Sequence, residues 1–329
     1  MFSKASDPLR PEAFNDFIGQ VQLKNDIEIL IKAAKQREQM PEHILVSGPP
    51  GTGKTTISHI VANELNVPLH SVNAPNVEKP GDIAALLTSL DKPSVIFIDE
   101  VHRLETKSEE LLYSALEDGK IDVLLGDGYT AKSLTLPLQP FTLIAATTQP
   151  GLLSAPLRDR FGLLLRFNLY SDEDLAFIVE RSAKLLELKI SSEAAFEIAR
   201  RGRGTPRIAN RWLRRTRDWA QVKENIVLST DVISKEIVIN ALDSHGIDNL
   251  GLDPTARDIL NKLINDFKGG PVGSESLAAA TGEAKSSIEL VYEPFLIQSG
   301  LINRTSRGRV ATTKAYKHLE SIVDQDLIN

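Results

Sequence analysis

Residues 48–55 read Gly-Pro-Pro-Gly-Thr-Gly-Lys-Thr and follow at once on the β-prone run Ile44-Leu45-Val46. No other segment narrows the fold as much. Every fixed position of the P-loop pattern is met, with glycines that let the backbone wrap until successive N–H groups converge on phosphate. In that pattern Gly51, Thr52 and Gly53 frame the cradle and Lys54 reaches the β- and γ-phosphates. The Thr55 hydroxyl becomes a Mg2+ ligand, and Thr56 completes the nucleotide-binding set. Ile57, Ile60, Val61 and Leu65 then recur at helical spacing, so the loop opens a helix whose N-terminal dipole favours an anion. Strand, loop and helix in this order predict an α/β domain.

A second run, Ser94-Val95-Ile96-Phe97-Ile98, is continuously apolar, as expected for a strand buried on both faces of a parallel sheet. It ends in Asp99-Glu100, and the carboxyl ends of such strands are where open α/β sheets bind ligands. Asp99 is a candidate to hold Mg2+ through its water shell, and Glu100 to polarise an attacking water. A third run, 141–146, leads into Thr147-Thr148. A hydroxyl there either senses the γ-phosphate or simply caps the strand; of the pair, Thr148 is the catalytic candidate. Next comes Leu157-Arg158-Asp159-Arg160-Phe161. Phosphoryl transfer needs positive charge on its transition state, often from a neighbouring subunit's arginine, but spacing does not separate that role from a surface ion pair.

At 329 residues the chain exceeds one ordinary core, and two or three domains are expected. A net charge of −6 argues against a surface that coats DNA throughout. A local basic patch remains effective, because phosphate attraction acts within a Debye length of about 8 Å. Lysine and arginine concentrate at 200–217 and 304–317, and the second stretch holds no acidic residue. With no cysteine, disulfides and thiolate metal sites are excluded. No apolar run approaches the ~18 residues of a membrane span, and residues 1–10 lack an apolar signal core. The expectation is a cytoplasmic protein.

After Tyr170 the pattern turns helical. Ser171 to Asp174 resembles a capping box, and Leu175, Ile178, Val179, Leu185 and Leu186 form an apolar stripe. Thr205-Pro206 reads as an N-cap with proline at the first helical position, and Ile208, Trp212, Thr216 and Trp219 mark the expected buried face. Residues 245–253 read as a linker. Beyond it, 256–267 reads as a helix ended by Gly269-Gly270-Pro271, and then 276–280, a turn at Thr281-Gly282-Glu283 and 285–298 suggest helix-turn-helix. Leu301-Ile302 and Val310-Ala311-Thr312 are expected strands around a basic, hydroxyl-bearing turn, which together make a winged helix. Arg304, Arg307 and Arg309 are its candidate DNA contacts, suited to phosphate rather than to bases. A solvated hairpin tip, or a winged helix that binds protein, is the alternative. Glu289 and Glu293 on the preceding helix argue against base-specific readout.

Taken in order, the P-loop, Asp99-Glu100, the Thr147-Thr148 strand end and Arg-Asp-Arg-Phe resemble an AAA+ ATPase. Leu9-Arg10-Pro11, Phe17-Ile18-Gly19-Gln20 and residues 78–82, 99–104, 152–162, 204–211, 269–273, 291–296 and 304–312 resemble, more narrowly, the bacterial motors of Holliday-junction branch migration. The resemblance runs from about Leu9 to Thr312. It implies an AAA+ ATPase domain over 1–169, a helical lid over 170–245 and a winged-helix domain over 246–329. It further implies ATP and Mg2+ as cofactors, a homo-hexameric ring, and duplex DNA arms as substrate. Its implied partners are the junction-recognition protein RuvA and the resolvase RuvC.

Residue roles follow from the same resemblance. Arg160 sits at the arginine-finger position and Arg207 at the second sensor position. Leu9, Arg10, Ile18 and Tyr170 match positions lining the adenine and ribose pocket. Glu117, Asp118 and Gly119 match nucleotide contacts made across a subunit boundary, with Gly119 in place of a common aromatic. Residues 120–137 match a β-hairpin that engages RuvA. Gln149-Pro150 replaces the usual Arg-Ala, and 71–76 departs from the family's usual sequence. Two rival functions stand beside the motor: a clamp-loader-like or regulatory ATPase that uses nucleotide as a binding switch, and a DNA-binding module with a vestigial ATPase. The intact Lys54, Thr55, Asp99 and Glu100 set opposes the last.

Overall fold

The computed structural model describes residues 7–125, 132–228 and 230–326. The chain divides into two units, Met1–Gly48 with Thr52–Asn168, and Pro49–Gly51 with Leu169–Asn329.

In the first unit the strands are β1 (Ile44–Ser47), β2 (Leu69–Asn73), β3 (Ser94–Asp99), β4 (Lys120–Leu125), β5 (Lys132–Pro137), β6 (Phe141–Thr147) and β7 (Leu163–Arg166). Its helices are α1 (Val21–Gln36), α2 (Lys54–Leu65), α3 (Pro80–Thr88), α4 (Thr106–Asp118) and α5 (Ala155–Arg158). Five strands form one parallel sheet in the order β2-β3-β6-β1-β7. Its residues alternate between two cores. Ile44, Val46, Val95, Phe97, Ile144 and Ala146 pack with Ile27, Ile31, Ile57 and Ile60 from α1 and α2. Leu45, Ile96, Ile98, Leu143 and Ala145 pack with Ile83, Leu87, Leu112 and Phe161 on the other face. The register carries this alternation across the sheet, with Phe97 opposite Ile144 and Ile144 opposite Ile44. Each such side chain contributes about 1.5–3 kcal/mol by leaving water, which is why β3 and β6 read as unbroken apolar runs.

Strands β4 and β5 pair antiparallel as a separate hairpin, from Lys120 opposite Pro137 to Leu125 opposite Lys132. This is where the hairpin of 120–137 was expected; its residues 126–131 lie outside the described ones. Gly119, where an aromatic is common, closes α4 in the left-handed region at φ 63°, the conformation that favours glycine at a helix C-terminus.

The second unit begins with α6 (Asp172–Leu185), β8 (Lys189–Ile190), α7 (Ser192–Arg200), α8 (Pro206–Lys223), β9 (Val232–Ile233) and α9 (Lys235–Ser244). Ser171 caps α6, accepting from Asp174 N–H at 3.1 Å. One expectation for α8 is corrected. Its buried face is Ala209, Trp212, Leu213, Thr216 and Ala220, with Ile208 and Trp219 at the margin, because the alanines admit the neighbouring helices more closely than larger side chains would. Thr205 is the N-cap residue and Pro206 the first helical one, as expected, but the Thr205 hydroxyl donates to the Gly202 carbonyl at 3.3 Å and makes no cap bond of its own.

Helices α10 (Pro254–Asn261) and α11 (Ser274–Thr281), the helical stretch α12 (285–298), β10 (Ile302–Thr305), β11 (Gly308–Ala311) and α13 (Thr313–Asp326) then build the winged helix. The strands expected at 301–302 and 310–312 run further into the turn, at Ile302–Thr305 and Gly308–Ala311. Within α12, Ile288–Tyr292 winds as a π turn. Pro294 follows it and has no N–H to give to the turn before, which loosens the regular ladder there. Two buried arginines tie lid to winged helix. Arg201 bonds Glu197 at 2.7 Å, Asp243 at 2.6 Å and the Ile247 carbonyl at 2.8 Å. Arg203 bonds the Gly251 carbonyl at 2.6 Å and pairs with Asp253 at 2.8 Å.

Candidate nucleotide and DNA sites

The expected phosphate loop joins β1 to α2. Gly48, Gly51 and Gly53 have φ of 142°, 79° and 112°, a region that side chains resist. Space forbids side chains as well: a Cβ on Gly48 would stand 2.5 Å from the Phe167 carbonyl oxygen, and one on Gly53 would stand 3.2 Å from the Phe17 ring. Lys54 spans the loop, donating from Nζ to the Gly48 carbonyl at 2.8 Å. Burial draws its pKa below the usual lysine range, while the charges of Asp99 and Glu100 oppose that shift. Thr52 is fully buried, and Thr55 and Thr56 open the helix behind Lys54.

Glu100 follows the last residue of β3 and adopts a left-handed backbone at φ 52°. Its carboxylate accepts a hydrogen bond from the Thr148 hydroxyl at 2.9 Å, one strand away at the end of β6. His102 Nδ1 lies 3.3 Å from the same oxygen and 2.9 Å from Thr147 Oγ1. Burial is the main influence on His102 and lowers its pKa, Glu100 raises it, and Arg103 lowers it. Thr147 is fully buried and also accepts from Gln149 N–H at 3.0 Å. Of the threonine pair, then, Thr148 touches the candidate base and Thr147 holds the histidine.

The remaining sequence-derived candidates fall into three groups. Arg160 pairs with Glu117 of its own chain at 2.8 Å, while Asp118 and Gly119 close the helix that carries Glu117. Leu9 is buried, Ile18 is half-buried, and Arg10 donates to His59 Nε2 at 2.7 Å; burial lowers the His59 pKa, and the Arg10 charge lowers it further. Tyr170 is buried with its N–H on the Gly204 carbonyl at 2.8 Å, and Arg207 is exposed near the start of α8 with its N–H 3.4 Å from the Gly51 carbonyl. Sequence reasoning missed His102 and His59 as site residues. Only their closeness to Glu100 and Lys54 in sequence hinted at them.

In the wing, Arg304 and Arg307 are exposed. Arg307 N–H donates to Thr305 Oγ1 at 3.3 Å, and Thr305 in turn donates to the Gly308 carbonyl at 2.9 Å, which shapes the turn. Arg309 does not belong with them, and its expected role as a DNA contact is corrected. Its guanidinium is buried and bonds Glu293 at 2.7 Å and Glu289 at 3.1 Å. A cation so held braces the wing on α12 and does not reach out to a phosphate.

Comparison with known proteins covers both units. Residues 9–167 match the family description "Holliday junction DNA helicase RuvB P-loop domain", residues 170–248 match "RuvB AAA lid domain", and residues 249–320 match "RuvB C-terminal winged helix domain". The chain is 48% identical over 314 residues to the Holliday junction branch migration complex subunit RuvB of Fusobacterium nucleatum, covering 95% of this chain and 93% of that one. The chain belongs to the RuvB family. Among solved structures, the Thermotoga maritima RuvB Holliday junction branch migration motor superposes with a TM-score of 0.86 at 44% identity, covering 95% of this chain and 99% of that one. A point mutant of the Thermotoga RuvB gives 0.87 at 45% identity, covering 95% and 98%.

The residues of this chain fit the nucleotide that its P-loop implies. The glycine conformations leave a concave backbone that side chains would obstruct, and the ammonium of Lys54 bridges it. The donor set of Thr55 hydroxyl and Asp99 carboxylate is all oxygen, which suits a hard divalent cation that keeps most of its own water.

Proposed function

We propose that the chain is an ATP-driven motor subunit that moves the duplex arms of a Holliday junction, in a homo-hexameric ring working with a junction-recognition protein of the RuvA kind. The observation that carries this reading is the fixed carboxylate of Glu100, bonded by Thr148 and faced by His102, in the same unit as the lysine of the phosphate loop. A carboxylate so held accepts a proton from water without first having to reorient. Lys54 would orient the phosphates, and Thr55 with Asp99 would hold a Mg2+ ion, whose charge, when bound, would offset that of the phosphates. Arg160 of an adjacent subunit stabilises the charge that develops as the phosphoryl group leaves. Arg207, on the lid helix, responds to the γ-phosphate and couples hydrolysis to movement of the second unit. Arg304 and Arg307 hold the DNA backbone by charge, independent of sequence.

The test is strand exchange on a synthetic four-way junction with ATP and Mg2+, with and without RuvA. Partner-stimulated exchange that disappears in Glu100→Gln supports the motor. ATP turnover and DNA binding without exchange under either condition overturns it in favour of a nucleotide-gated switch.

A further inference from the structure

Helix α4 carries Glu109, Tyr113 and Glu117 at intervals of four, so all three lie along one face. That face meets the Arg160 segment at three levels. At the first, the Ser154 hydroxyl donates to Glu109, and the same hydroxyl caps α5 by accepting from Leu157 N–H at 3.2 Å. At the second, the Tyr113 hydroxyl donates to Glu109 at 3.0 Å and lies 3.0 Å from Ser154 Oγ, while the Arg160 guanidinium sits 4.7 Å above the centre of the Tyr113 ring. At the third, Glu117 takes Arg160 Nη2 at 2.8 Å, and the Pro156 carbonyl takes Nη1 at 2.6 Å. One tyrosine therefore both anchors the start of the segment and supports the flat face of its terminal cation.

We propose that Tyr113 is a positioning residue for phosphoryl transfer: its ring is the platform that aims Arg160 at the nucleotide of the adjacent subunit. This rests on Arg160 acting across a subunit boundary. A long arginine side chain has many rotamers, and only one direction places its charge on a neighbour's transition state. Stacking on an aromatic face removes most of those rotamers without consuming the N–H donors that the phosphate needs. Glu117, by contrast, occupies a donor and is displaced when phosphate arrives. Tyr113 is half-buried and packs against the margin of one core, so an apolar replacement keeps that contact.

The test measures ATP turnover by full-length rings of Tyr113→Leu. The expected result is a kcat lower by about tenfold with KM for ATP unchanged, between what an exposed and a desolvated cation–π contact supply. Tyr113→Phe, which keeps the ring, is expected within about threefold of wild type. Mixing Tyr113→Leu with Lys54→Ala restores turnover, because an intact phosphate loop then meets an intact finger. Adding Tyr113→Leu to Arg160→Ala slows the ring no further. If the leucine chain does not fold, Tyr113→Met, of closer volume, repeats the series. Wild-type kcat in Tyr113→Leu beside a crippled Arg160→Ala overturns the platform alone, as does a defect that adds fully to Arg160→Ala. A fully active Arg160→Ala overturns the finger reading, and the platform with it.

Discussion

The Glu100 cluster and the wing both place charged side chains at the edge of a β-structure, yet they treat them in opposite ways. Around Glu100 each polar group is held by another: Thr148 bonds the carboxylate, and His102 lies between Glu100 and Thr147. In the wing, Arg307 stands in solvent, Arg304 is exposed with only a 3.7 Å ion pair to Glu293, and the third arginine, Arg309, is buried. Bond-making chemistry must find its groups already oriented in a low-dielectric site, since reorientation would be added to the barrier. Attraction to a phosphate backbone requires charge within a Debye length and little else, and a loose side chain loses nothing by being loose. Within one chain, side-chain order thus separates reacting groups from those that merely hold.

Four measurements would break or sharpen that contrast. The largest effect is expected for Arg160→Ala, a fall of about 10³- to 10⁵-fold in ATP turnover, with rescue when mixed with Lys54→Ala subunits. Absence of rescue at every ratio would place Arg160 outside the neighbour's site. Next is Glu100→Gln, with turnover reduced about 10²- to 10⁴-fold while a fluorescent ATP analogue still binds; lost binding would mean the residue is structural.

Smaller still is Arg304→Gln with Arg307→Gln, where the slope of log affinity against log salt should flatten by about two. Arg309→Met should leave that slope alone and instead destabilise the fold by about 3 kcal/mol, because Glu293 stays buried without its partner. Equal effects on salt slope from both would erase the distinction drawn within the wing. The smallest effect concerns pH. His43, His59 and His102 all have pKa values lowered from 6.5, in each case chiefly by burial. The unfolded chain therefore takes up these protons first. Stability should be complete above about pH 6.5 and decline as pH falls below it, so urea melts at about pH 7.5 and about pH 5.5 should show the lower midpoint in acid. A midpoint that rises in acid would contradict the burial of these rings.

Where chemistry dictates residue type, the sequence was readable. The P-loop admits only glycine at its turns, and β3 must be apolar on both faces and end in acid, so both were visible without a structure. Where geometry selects among equal residues, it was not. Arg304, Arg307 and Arg309 are alike in sequence; Arg309 alone of the three is buried and bonded to both Glu289 and Glu293, while Arg304 reaches Glu293 only at 3.7 Å from an exposed position. The face of α8 was misjudged for a similar reason, since Ala209 and Ala220 are chosen for close helix approach and carry a weaker apolar signal than Ile208 and Trp219. Thr147 and Thr148 meet different partners because Thr147 is the last residue of β6 and Thr148 lies in the bend just past it, a boundary that sequence does not fix to the residue.

The left-handed backbone of Glu100 has a consequence for anyone who breeds this protein for heat resistance. A non-glycine residue at φ 52° carries about 1–2 kcal/mol of conformational cost; glycine escapes it, less about 0.5–1 kcal/mol for its greater freedom when unfolded. A screen that rewards only survival at high temperature will therefore favour Glu100→Gly. It would enrich rings that are sturdier and inert, unless each round also demands work from them.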